Sequence, residues 1–158
     1  MVEMKASVTL DALFAVVIAL VAVIIVMLKG DALYIGLWYY FAVPIVIVGI
    51  GAALRARPLF LFGTSLAIAI TLIFYMSINW RASSPEGLLG LGHLFSLPGG
   101  IVGVFIAATL LKRNTTASLF IAFLFGLIGL LGGFFVNNLI LCNTVFYCGQ
   151  LSLSFFLE

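Results

Sequence analysis

The chain has 158 residues, of which 65% are hydrophobic and 8% charged. Soluble domains carry roughly 25% charged residues, so a fold with this composition could not cover itself for water, and a mean hydropathy of +1.38 points to lipid as its solvent. A net charge of +2, from seven Lys and Arg against five Asp and Glu, is too weak and scattered for a nucleic-acid surface.

A hydrocarbon core needs about 20 helical residues to cross. Five stretches meet or approach that length: residues 8–28, 33–54, 59–80, 88–111 and 117–141. The expected fold is an all-α polytopic transmembrane bundle of about five spans, with residues 1–158 as one integral-membrane domain. Residues 142–156 are expected to form an outer C-terminal tail. Leu157-Glu158 reads as the scar of an expression tag and is set aside.

The first stretch has 21 residues and no small-residue cleavage site after it. It exceeds the roughly 7–15-residue apolar region of a secretory signal and reads as a retained span. Asp11 lies one turn inside it. A carboxylate in a span is a functional candidate by default. Here it is shallow enough to reach water, where it would stabilise its own helix N-terminus.

The link Lys29-Gly30-Asp31 is tight, and Tyr34, Trp38, Tyr39 and Tyr40 open the second span. Pro44 in its middle predicts a kink. The next link, Arg55-Ala56-Arg57-Pro58, ends in a proline suited to the first turn of the third helix. Short links make consecutive helices antiparallel neighbours. In the third span, Thr64, Ser65 and Thr71 form a thin polar face that reads as helix–helix glue. Tyr75 and Trp80 close that span.

The fourth stretch contains the only histidine, His93. Ser84-Pro85-Glu86 is a good helix start. Ser96-Leu97-Pro98-Gly99-Gly100 should interrupt the helix, because Pro98 lacks a backbone N–H and its ring crowds the preceding turn. Either residues 88–111 form one kinked span, or residues 85–95 lie in the outer interface or dip into the membrane and residues 97–111 cross alone. The cap signals at both starts favour the second geometry, a span broken between Ser96 and Gly100. His93 is then expected near the outer surface, with Glu86 on the same face at i, i+7. There it would act as a proton-sensitive or ligand-contacting group, or simply bond to water or a headgroup. One histidine supplies no partner set for metal or haem.

In the fifth span, Gly126, Gly129 and Gly133 fall on one helical face, which Asn137 continues. Gly99 and Gly103 are the counterpart in the fourth span. Small residues at this spacing predict close helix packing, within the bundle or in a homo-oligomer. Asn137 or Asn138 could hydrogen-bond across the contact. Cys142 and Cys148 are the only cysteines and are expected beyond the fifth span. Their spacing matches no zinc or redox motif, and a structural disulfide is the expected use. After them, Leu151-Ser152-Leu153-Ser154-Phe155 alternates like a short extended or interfacial tail.

With five spans, Lys5, Arg55, Arg57, Lys112 and Arg113 share one side, and Lys29 and Arg81 the other. The positive-inside rule then places the N-terminus in the cytoplasm and the C-terminus outside. Every Tyr and Trp falls near an outer helix end, including Tyr147 after the fifth span. Belts normally form on both sides, so a one-sided belt reads either as lipid anchoring or as an aromatic surface that receives a partner.

No Ser/His/Asp set, paired intramembrane carboxylate, His/Cys cluster or nucleotide-binding loop is present. The reading is therefore a non-enzyme with no metal and no cofactor. The expected function is a small binding or protective protein of the bacterial inner membrane acting through its outer face. An immunity-type protein that neutralises a membrane-targeting toxin is one example, by analogy of build. Trp38, Tyr39, Tyr40, Trp80, Glu86 and His93 are the candidate partner-binding residues. The alternative is a small oligomeric channel or transporter subunit, or an assembly subunit of a larger membrane complex. The expected partners are the bilayer, a protein on the outer face and further copies of the chain.

Overall fold

The computed structural model describes residues 2–54, 56–82, 88–114 and 116–145, with side chains from Leu10 onward. These residues form five α-helices: α1 (Val2–Lys29), α2 (Leu37–Ala53), α3 (Phe60–Arg81), α4 (Leu88–Arg113) and α5 (Leu119–Thr144). No strand occurs among the described residues. Four of the helices are long and apolar enough to cross a membrane, and α2 is an apolar helix of 17 residues, about 25 Å long. The protein is an all-helical integral membrane protein.

Beside a buried apolar core, most polar side chains of the helix middles lie inside, and many large apolar ones face outward. Thr64, Ser65, Thr71, Asn79, His93, Ser96 and Asn138 are buried, whereas Leu13, Val17, Ile24, Ile45, Phe105 and Ile128 are exposed. In lipid this arrangement is stable. The outer surface needs no charge, and interior polar groups hydrogen-bond across helices.

The helices run alternately up and down. Lys29 Nζ, at the end of α1, sits 5.2 Å from the centre of the Trp80 ring at the end of α3. At the opposite end, Arg57 Nη1 donates to the Ala117 carbonyl at 2.6 Å, tying the α2–α3 and α4–α5 connections together. α4 and α5 pack antiparallel through glycine. A Cβ on Gly103 would collide with the Gly129 carbonyl, and one on Gly133 with the Gly99 carbonyl. Only hydrogen permits this approach, so dispersion between two backbones holds the seam. Gly126 faces a different helix: a Cβ there would strike the Phe60 carbonyl of α3. The face expected to be single therefore serves two contacts, with Gly129 and Gly133 toward α4 and Gly126 toward α3.

The fourth helix is continuous from Leu88 to Arg113 and passes through Pro98. Neighbouring side chains support the backbone around the proline, which the interruption expected between Ser96 and Gly100 left out. Ser96 Oγ donates to the Gly92 carbonyl at 2.7 Å, and Asn137 Nδ2 of α5 donates to the Phe95 carbonyl at 2.8 Å. Tertiary donors of this kind let proline persist in a membrane helix.

Asp11 caps a helix, though not its own. It is 2% exposed, and its carboxylate accepts from the backbone N–H groups of Leu61 at 3.2 Å and Phe62 at 2.7 Å. α3 begins at Leu59 in a left-handed conformation with no side-chain cap of its own. The carboxylate from α1 fills that role, satisfying first-turn donors and facing the positive end of the helix dipole.

Three other boundaries differ from the sequence reading. α2 starts at Leu37 rather than near residue 33, because the preceding residues form a side-chain-locked loop. Pro58 lies in the turn before α3, outside its first turn. α5 extends to Thr144, so Cys142 is a buried helical residue and not part of a tail. Cys148, and with it the expected bridge, lies outside the described residues, as do Glu86, Tyr147, residues 151–155 and the terminal Leu157-Glu158.

Candidate functional site

Trp38, Tyr39 and Tyr40 follow one another at the start of α2. Successive helical residues point about 100° apart, so the three rings take three directions. Trp38 points outward and is 62% exposed, while Tyr39 and Tyr40 are fully buried.

Tyr40 holds the loop that precedes it. Its hydroxyl donates to Asp31 Oδ1 at 2.6 Å. The same carboxylate accepts from Leu33 N at 3.1 Å and Gly36 N at 2.6 Å. Asn79 of α3 donates through Nδ2 to the Ala32 carbonyl. One aspartate and one asparagine thus lock the connection between α1 and α2. The loop presents Tyr34, which is 63% exposed and has a φ of 57°. Non-glycine residues rarely adopt this region, and such strain persists where surrounding structure over-determines it.

Tyr39 points into the bundle, where its hydroxyl is 2.6 Å from His93 Nδ1. His93 Nε2 is 3.1 Å from Thr71 Oγ1. The single proton of Thr71 already goes to the Ile68 carbonyl at 2.8 Å, so Thr71 can only accept from the histidine. His93 therefore carries its proton on Nε2 and accepts from the Tyr39 hydroxyl at Nδ1. This is the neutral imidazole with both nitrogens bonded. Tyr75, Phe134 and Tyr39 enclose the ring, with centroids 5.0, 5.0 and 5.8 Å away.

A second group of bonds adjoins it. Tyr75 donates to Asn138 Oδ1 at 2.5 Å. Ser96 Oγ and Cys142 Sγ each lie 3.2 Å from the same oxygen. Together these residues join α2, α3, α4 and α5. Ser65 Oγ of α3 is the one buried side-chain polar atom without a partner among the described residues.

The candidate residues thus separate into different places. Trp38 is at the surface, and Trp80 is half-buried beside Lys29 at the same end of the bundle. Tyr39, Tyr40 and His93, expected on an outer face, are interior, because each finds a polar partner there that lipid could not supply. Gly99, Gly103, Gly129 and Gly133 line the α4–α5 contact, and Asn137 bridges to Phe95 of α4. Sequence reasoning missed Asp31, Asn79 and Tyr34 as loop determinants and Asn138 as a hub. A signal existed for Asn138. The buried face of α5 runs Ala122, Gly126, Leu130, Phe134, Asn138, Cys142 at strict i, i+4 spacing, which places it inward.

Among the described residues no three His, Cys, Asp or Glu side chains gather as a metal-ligand set. The two polar groups bond helix to helix in the interior, whereas the pinned loop carries exposed rings at Tyr34 and, in the first turn of α2, Trp38. No protein-family model, curated protein or solved structure matches this chain.

Proposed function

We propose that this is a non-catalytic membrane protein that recognises a protein partner through the end of the bundle carrying Tyr34, Trp38 and Trp80. In this reading it is a protective protein of the bacterial inner membrane, of the immunity type, that neutralises a membrane-targeting toxin. The N-terminus is cytoplasmic, and the aromatic end faces outward. The observation that carries the reading is the loop before α2. Two exposed rings, Tyr34 and Trp38, stand on a backbone pinned by Asp31, Tyr40 and Asn79. Aromatic anchors on a rigid support lose little entropy on binding and dominate interface energetics. A merely lipid-anchoring ring needs no such backbone.

The channel reading has less support. It calls for polar side chains along a water path, and Asn137 and Asn138 are both engaged with neighbouring helices.

The test is protection of sensitive cells against a membrane-targeting toxin encoded beside the gene. The parent chain restores growth. The double variant Tyr34→Ser, Trp38→Ser does not, while its unfolding midpoint in detergent is unchanged. Ion conductance by the purified protein in liposomes, with no effect on any toxin, overturns the reading. A reporter fused after Tyr147 that is active only in the cytoplasm overturns the orientation.

A further inference from the structure

Along the lipid-facing side of the α4–α5 seam runs an open apolar groove of about 890 Å³. Its floor is the glycine row Gly99, Gly103, Gly129 and Gly133. Val102 and Ile106 form one wall, and Ile128 and Val136 the other, all of them more than half exposed. We propose that this groove binds one acyl chain of an anionic phospholipid, with the headgroup phosphate at Arg113.

Two observations favour this occupant. The groove extends along α4 from Pro98 to Leu110, about 18 Å at 1.5 Å per residue. Half of a hydrocarbon core of about 30 Å is close to that length, so the groove matches a chain from a single leaflet. Second, its far end meets positive charge. Arg113 is seven residues beyond Ile106, about two helical turns, and so continues the wall formed by Val102 and Ile106. It is exposed, as is Lys112 beside it. Basic groups beside a cleft between transmembrane helices suit an anionic headgroup. The zwitterionic headgroup of phosphatidylcholine gains less there.

Gly132 allows a clean test. It lines the groove, and a Cβ placed on it has no neighbouring atom within 4 Å. Gly132→Leu therefore fills the groove without entering the helix seam. Native mass spectrometry of the purified protein, titrated separately with phosphatidylglycerol and phosphatidylcholine, reads the binding. The parent chain prefers phosphatidylglycerol by about fivefold, the value expected of one basic side chain near the surface. Gly132→Leu weakens both lipids by about tenfold through lost methylene contact. Arg113→Gln removes most of that preference and leaves the smaller part that Lys112 supplies. Val102→Phe occludes the groove from the opposite wall and repeats the Gly132→Leu result if that variant folds poorly. Equal binding of both lipids by the parent chain overturns the headgroup assignment, as does a preference that Arg113→Gln leaves undiminished. Unchanged lipid binding in both occluding variants overturns the groove. So does a lipid-independent dimer that those variants dissociate.

Discussion

Between α4 and α5 the helices meet backbone to backbone at Gly99, Gly103, Gly129 and Gly133. Around His93 the helices meet through long side chains instead, Tyr39 from α2 and Tyr75 from α3 reaching partners on α4 and α5. In lipid there is no hydrophobic drive between helices, and these are the two substitutes: dispersion at close range and hydrogen bonds in a medium with no competing water. The seam tolerates almost no added atom and leaves an open groove on its lipid side. The polar cluster fills its space and fixes the angle of each ring. One region determines how near two helices lie, and the other determines which side chains are left for the surface.

The largest effect expected from breaking this contrast is in the seam. Gly103→Val drives carbon into the Gly129 carbonyl and should lower stability by about 3 kcal/mol, measured by unfolding in detergent or by steric trapping. Gly132→Val, on the same helix pair but in open space, should change it by less than about 0.5 kcal/mol. Equal losses from the two would mean that the backbones are not in contact at Gly103.

A smaller loss is expected at the polar hub. Asn138→Leu removes the acceptor of the Tyr75 hydroxyl in a buried site. This should cost about 2 kcal/mol, most of it the penalty for an unpaired donor. Adding Tyr75→Phe to that variant should recover part of the loss, because both partners are then apolar. The smallest effect sharpens the comparison. A double-mutant cycle of Tyr39→Phe with His93→Leu should give a coupling of about 0.6 kcal/mol, the usual size for a bond between membrane helices. A coupling several times larger would make the cluster, and not the seam, the main fastener of the bundle.

Much of the architecture was legible because the bilayer imposes length and polarity directly. Five apolar stretches, their short links and the glycine spacing of the fourth and fifth helices could be read from residue order. Pro98 misled that reading because the helix runs on through it, with side chains from α4 and α5 bonding the nearby carbonyls of Gly92 and Phe95. Asp11 was recognisable as a helix-stabilising carboxylate, but the helix it serves lies 50 residues away in the chain. The run Trp38-Tyr39-Tyr40 looked like one aromatic belt. A helix turns about 100° per residue, and that rotation sends only Trp38 outward.

Composition determined that the chain lives in lipid, since so few charged groups cannot clothe a surface in water, and the length of its unbroken apolar runs determined that it crosses as helices, since lipid leaves backbone groups no partner but one another and a spanning strand would be half as long. Tertiary structure decided everything that depends on a partner distant in sequence: the unbroken fourth helix, the tautomer of His93, the rigid loop under Tyr34 and the groove beside the glycine seam. Each of these rests on a side chain or backbone supplied by another helix, and no local pattern encodes which helix that is.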